Sequence, residues 1–99
     1  MKKLFSIGSV VKLKNVSQRV MIAGHVQREL GGDRIWDYAA VPFPDGVLDT
    51  DKFILFDHDN IELLYFIGLQ DTESIEYMRN VFEVVNKEEL DALREKEQQ

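Results

Sequence analysis

Short stretches of alternating apolar and polar residues, punctuated by turn signals, run from Ile7 to Phe43 and restrict this chain to a small antiparallel sheet. Val10, Val11, Leu13 and Val16 interleave with Lys12 and Lys14 as in a half-buried strand, and Asn15 to Gln18 supply the turn. Arg19 to Gln27 then set Val20, Ile22, Gly24 and Val26 on one face, with Met21, Ala23, His25 and Gln27 on the other. Gly24 inside that strand predicts a bulge or a close backbone crossing. Gly31-Gly32-Asp33 tolerates positive φ, so the chain reverses there into a third strand, Arg34 to Phe43. Trp36, Tyr38, Ala40 and Pro42 share one of its faces.

Pro44-Asp45-Gly46 ends the third strand, because proline presets φ and glycine takes the residue that needs φ above zero. Beyond the polar loop Val47 to Lys52, the apolar run Phe53-Ile54-Leu55-Phe56 predicts a central strand. Asp57-His58-Asp59-Asn60 closes it, and Ile61 to Ile67 is assigned to a fifth strand. Asp71 or Thr72 can then cap a helix whose stripe is Ile75, Met78, Phe82 and Val85. Asn86 and Glu89 predict a second helix from Lys87 to about Lys96. The expected fold is α+β: about five short antiparallel strands, as a curled sheet or SH3-like partial barrel over 1–70, then one or two helices over 71–99 docked on the sheet. At 99 residues the chain has room for one core.

Composition excludes several chemistries. Cysteine is absent, which removes disulfides, thiolate metal sites and a cysteine nucleophile. No stretch has the apolar core of a signal peptide or the length of a membrane span, so a cytoplasmic location and no direct membrane insertion are expected. Residues 1–30 carry six Lys/Arg against one acid, residues 31–70 two against eight, and residues 71–99 four against nine. An acidic chain whose net positive charge is confined to one end is a poor nucleic-acid binder, whereas a partner protein with complementary patches suits it.

The candidate catalytic groups have plainer explanations. Asp57-His58-Asp59 is the nearest approach to a metal cluster, yet Asp59 and Asn60 serve equally well to satisfy backbone groups in a turn. His25, mid-strand among apolar neighbours, is expected to be packed. Gly31-Gly32 lacks phosphate-loop spacing, no serine stands in a nucleophile elbow, and Asp49 with Asp51 in a polar loop has ordinary solvated surroundings. No catalytic residue, metal or cofactor is assigned. The residues assigned to partner binding are Trp36 and Tyr38, as an aromatic pair on one strand, and Ile75, Met78, Phe82 and Val85 on the helix. Most of the aromatics, Phe53, Phe56, Phe66 and Phe82 included, are expected in the core, with Trp36 the first choice for exposure.

Ile7-Gly8-Ser9-Val10-Val11-Lys12-Leu13-Lys14, Val20-Met21-Ile22-Ala23-Gly24, Trp36-Asp37-Tyr38, Pro42-Phe43-Pro44-Asp45-Gly46 and Phe56-Asp57-His58-Asp59-Asn60-Ile61, in that order, resemble domain of unknown function 4176. The resemblance covers about Phe5 to Gly68. It implies a companion of type VII secretion loci in Gram-positive bacteria, encoded near toxins with an LXG export domain. The implied role is a non-catalytic adaptor, targeting factor or chaperone whose partner is the N-terminal helical export domain of a cognate toxin, with self-association open. Two other readings are a toxin immunity protein with a masking acidic surface, and a small SH3-like nucleic-acid module using the basic N-terminal strand.

Overall fold

In a computed structural model, residues 4–28 and 31–81 are described. The expected strands form, with boundaries set by turns: β1 Val10–Leu13, β2 Arg19–Arg28, β3 Ile35–Phe43, β4 Ile54–Phe56 and β5 Ile61–Phe66. They make one antiparallel sheet in the order β4-β3-β2-β1-β5. Asn15, at φ 63°, and Gly46, at φ 80°, turn the chain after β1 and β3, and the Gly46 N–H donates to the Pro42 carbonyl over 2.7 Å. Gly31, also at φ 80°, lies in the β2–β3 hairpin, whose last pair is Arg28 with Ile35. A helix, α1, begins at residue 72 and is described as far as 81. Phe82, Val85 and the predicted second helix lie outside the described residues.

The core lies on one face of the sheet, where Leu4, Val11, Leu13, Val20, Ile22, Tyr38, Ala40 and Phe56 form a buried cluster with Phe5, Ile54, Ile61 and Val81 against it. Two expectations change. The Phe53-to-Phe56 run is not central: β4 is an edge strand of three residues, and Phe53 is exposed. β-Propensity reports fit to a pleated, apolar surface and carries no information on sheet order, which explains the error. The strict alternation expected for β2 also fails. Ile22 pairs with Ala40 and Gly24 with Ala39, so Ala23 is a bulge residue, and from there the faces exchange. His25 consequently joins Val20 and Ile22 among the buried residues, while Ala23 is exposed.

The chain before β1 straps one end of the sheet. The Gly8 N–H donates to the Ile22 carbonyl and the Ile22 N–H to the Ser9 carbonyl, each over 2.8 Å. Ser6 and Ser9, both fully buried, hold Gly68: the Ser6 hydroxyl donates to the Gly68 carbonyl over 2.9 Å, and the Gly68 N–H donates to Ser9 Oγ over 3.0 Å. The two backbones are in contact there, and a Cβ at position 68 would collide with the Ile7 carbonyl. At the start of α1, Asp71 Oδ1 accepts the Ser74 N–H over 2.8 Å while Ser74 Oγ accepts the Asp71 N–H over 2.9 Å, a reciprocal cap.

Gly68→Ala is expected to lower stability by about 1–3 kcal/mol, since backbone and not a flexible side chain must give way; an unchanged thermal midpoint would contradict the packing. The Ser74 N–H and hydroxyl hold the Asp71 carboxyl below its ordinary pKa. Its ionised form is the one favoured by folding, so that contribution is complete above the ordinary carboxylate pKa and disappears as pH falls through the depressed one. Helical circular dichroism is therefore expected to decline on acidification, and Asp71→Ala to remove this component while lowering the signal at neutral pH.

Candidate interaction surface

A polar cluster beneath the β4–β5 connection gathers most of the residues with chemical potential. A 3-10 turn, His58–Asn60, follows Asp57. Asp57 Oδ1 accepts the Asp37 N–H over 3.1 Å and Asp37 Oδ2 accepts the His58 N–H over 2.9 Å, so two carboxylates exchange backbone donors across strands β3 and β4. The Asp57 N–H donates to Asn60 Oδ1 over 2.9 Å, the turn role foreseen for Asn60. Arg34 pairs with Asp57 Oδ2 at 2.8 Å and lies 3.7 Å above the Trp36 ring.

Tyr38 is fully buried, with its ring stacked on Phe56 and neighboured by both histidines. Its hydroxyl accepts the Phe5 N–H over 2.8 Å and donates to His58 Nδ1 over 2.7 Å. Because His25 Nε2 faces the Phe5 carbonyl at 2.6 Å, that nitrogen carries the hydrogen. Both backbone groups of Phe5 are thus held by side chains. Burial, reinforced by the Asp37 charge, pushes the Tyr38 phenol above its ordinary pKa against the opposing effect of the Phe5 N–H, which keeps it a neutral donor. Tyr38, His25 and His58 together form a clamp around Phe5, in which His25 Nδ1 is buried without a hydrogen-bond partner.

The sequence-assigned partner residues are dispersed by the fold. Tyr38 lies inside the core, a correction to its place in an aromatic platform, because its ring completes the packing around Phe56. Trp36 is half-buried beneath Arg34. On α1, Ile75 is 44% exposed and Met78 half-buried, while Val81 reaches the core and the Tyr77 ring lies 6.3 Å from His25.

The strand β5 forms where expected, and what composition and pattern left undetected is its exposure. Leu63, Leu64, Tyr65, Phe66 and Ile67 are consecutively exposed, followed by Leu69 at 78%, with Ile7 beside them; Phe66, expected in the core, is 61% exposed. The pairing with β1 explains this. Val11 pairs with Leu64 but Val10 with Phe66, and Lys12 with Leu63 but Leu13 with Ile61, so Tyr65 and Glu62 are extra residues in the ladder. Two bulges break the in-out alternation and turn neighbouring side chains outward. Glu62 is the strand's single charge and is held by Lys12 at 2.5 Å. A shallow depression of about 490 Å³ adjoins it, lined by Phe5, Lys14, His58, Asp59, Ile61, Glu62 and Leu64. So long a series of exposed apolar residues, with charged residues at its margin, sets this edge of the sheet apart from the other.

Tyr38→Phe is expected to cost about 1 kcal/mol, by removing the hydroxyl that pairs with the half-buried Phe5 N–H and His58 Nδ1. Thermal unfolding and faster hydrogen exchange at the Phe5 amide check it; wild-type values for both would contradict the clamp. A family model described as Domain of unknown function (DUF4176) matches residues 4–77. No curated protein and no solved structure matches the chain.

Proposed function

The chain belongs to the family described as Domain of unknown function (DUF4176), and from that premise we propose that it is a non-catalytic protein-binding module, an adaptor or chaperone for the helical export domain of an LXG-type toxin of a type VII secretion system. The observation that carries this reading is the outward-turned apolar series from Leu63 to Leu69. An edge strand so apolar invites unwanted pairing unless something covers it. The opposite edge is treated differently: β4 is only three residues long and follows a loop containing Asp49, Asp51 and Lys52. Bulged β5 offers side chains in preference to a regular row of backbone groups, which suits a helical partner better than an added strand. Ile75 and Met78 on α1 extend the contact.

A sheet curled toward an SH3-like partial barrel is part of the same proposal. Laid flat, five strands would put β4 and β5 about 19 Å apart. Residues 57–60, three of them in a 3-10 turn, reach roughly 13 Å between the flanking strands. A link that short favours bringing the two edges toward each other around Tyr38. Among the described residues no helix is long and apolar enough to cross a membrane, and the reading places the protein in the cytoplasm, where its client is made.

Co-expression with the N-terminal domain of the toxin encoded beside it is expected to give one complex on a sizing column. Phe66→Asp combined with Leu69→Asp, both exposed and so compatible with folding, should separate the two proteins and reduce toxin export. Separate elution of the wild-type pair, with export unaffected by deletion of the gene, would refute the adaptor role.

A further inference from the structure

The charges around the apolar series differ between its two ends, and the difference defines the helix it would accept. At the start of β5, the carboxylates of Asp59 and Glu62 are offset by Lys14, which lines the same depression, and by Lys12, which pairs with Glu62. At the other end Gly68 is pinned to Ser6 and Ser9, so α1 starts next to the patch by chain continuity. Its first turns present Asp71, Glu73 and Glu76, all exposed, with Arg79 the nearest cation in sequence. Among the described residues no ion pair engages Glu73 or Glu76. One end is electrically balanced and the other is acidic.

We infer that the β5 surface binds an amphipathic helix of a partner protein that carries lysine or arginine at one end only, laid so that this end meets Glu73 and Glu76. This deepens the adaptor reading and rests on it. From Leu63 to Leu69 the patch spans at most about 20 Å, the length at full strand rise, which an apolar stripe of up to about 13 helical residues matches. Like charge at the α1 end repels an acidic helix, and repulsion discriminates between partners more sharply than apolar area does. A second copy of this chain is a poor occupant, since each copy carries a net charge of −6.

The probe is a synthetic 18-residue alanine-based helix with leucines at i, i+3, i+4, i+7 and i+11 and two lysines at one end, compared with the same peptide bearing glutamates there. The lysine peptide is expected to bind about tenfold more tightly at low salt, to shift the amides of residues 63–69, and to lose the advantage as salt is raised. In the full chain, Glu73→Lys with Glu76→Lys should reverse the preference, Glu73→Gln with Glu76→Gln should abolish it, and Asp59→Lys should leave it intact. Thermal melts confirm that each variant folds. Equal binding of both peptides, shifts outside residues 63–69, a preference altered by Asp59→Lys, or dimerisation through β5 would overturn the inference. If the toxin domain is still captured while the peptides are not distinguished, the adaptor reading stands and this one falls.

Discussion

The hydroxyl of Tyr38 is the junction on which the rest of the structure depends. It accepts from Phe5 and donates to His58, while its ring stacks on Phe56 beside His25. Through that one side chain, β3 is tied to the N-terminal strap, to β2, to β4 and to the turn leading into β5. A buried hydroxyl with both of its hydrogen bonds made is worth keeping, because losing either partner leaves a polar group in a dry site. The clamp fixes the strap, the strap holds Gly68, and Gly68 determines where β5 ends and α1 begins.

Downstream of that chain of contacts, the bulges at Glu62 and Tyr65 decide what the surface looks like. A regular strand would bury every second residue; here the alternation is broken, and the apolar series projects from the molecule. Exposure of this much apolar area lowers solubility, and the Lys12–Glu62 pair at its margin offers little compensation. In the proposed function, a covering partner resolves the conflict between a well-ordered interior and an unprotected edge. In the titratable cluster of Asp37, Asp57, His25 and His58, each member holds another group of the fold.

Much of the fold was legible in the sequence. The turn chemistry of Asn15, Gly31 and Gly46 and the Asp71 cap follow from local residue preferences and appear where those preferences place them, and the bulge expected at Gly24 falls on its neighbour Ala23. Sheet order was not legible, because β4 and β5 are equally apolar and only tertiary contacts decide which strand stands beside which. The exposure of β5 was missed for a related reason. A run such as Leu63-Leu64-Tyr65-Phe66-Ile67 has the composition of a core strand, and nothing local announces two bulges in its pairing with β1. Tyr38 misled in the opposite sense: an aromatic next to Trp36 looks like a platform until the buried partners of its hydroxyl are seen. Ser6 and Ser9 pass for turn residues, and their hold on Gly68, 59 or more positions away, is invisible to any local pattern.

The most direct measurement of the central claim is methyl chemical-shift mapping of the isotope-labelled protein as the proposed partner, an unlabelled LXG export domain, is added. Side-chain docking on the outward face of β5 predicts that Leu63, Leu64, Ile67 and Leu69, with neighbouring Ile7, shift first and furthest, while Val20, Ile22 and Val41 in the sheet interior keep their positions. Shifts centred on β4 and Trp36, with the β5 methyl groups unmoved, would contradict it.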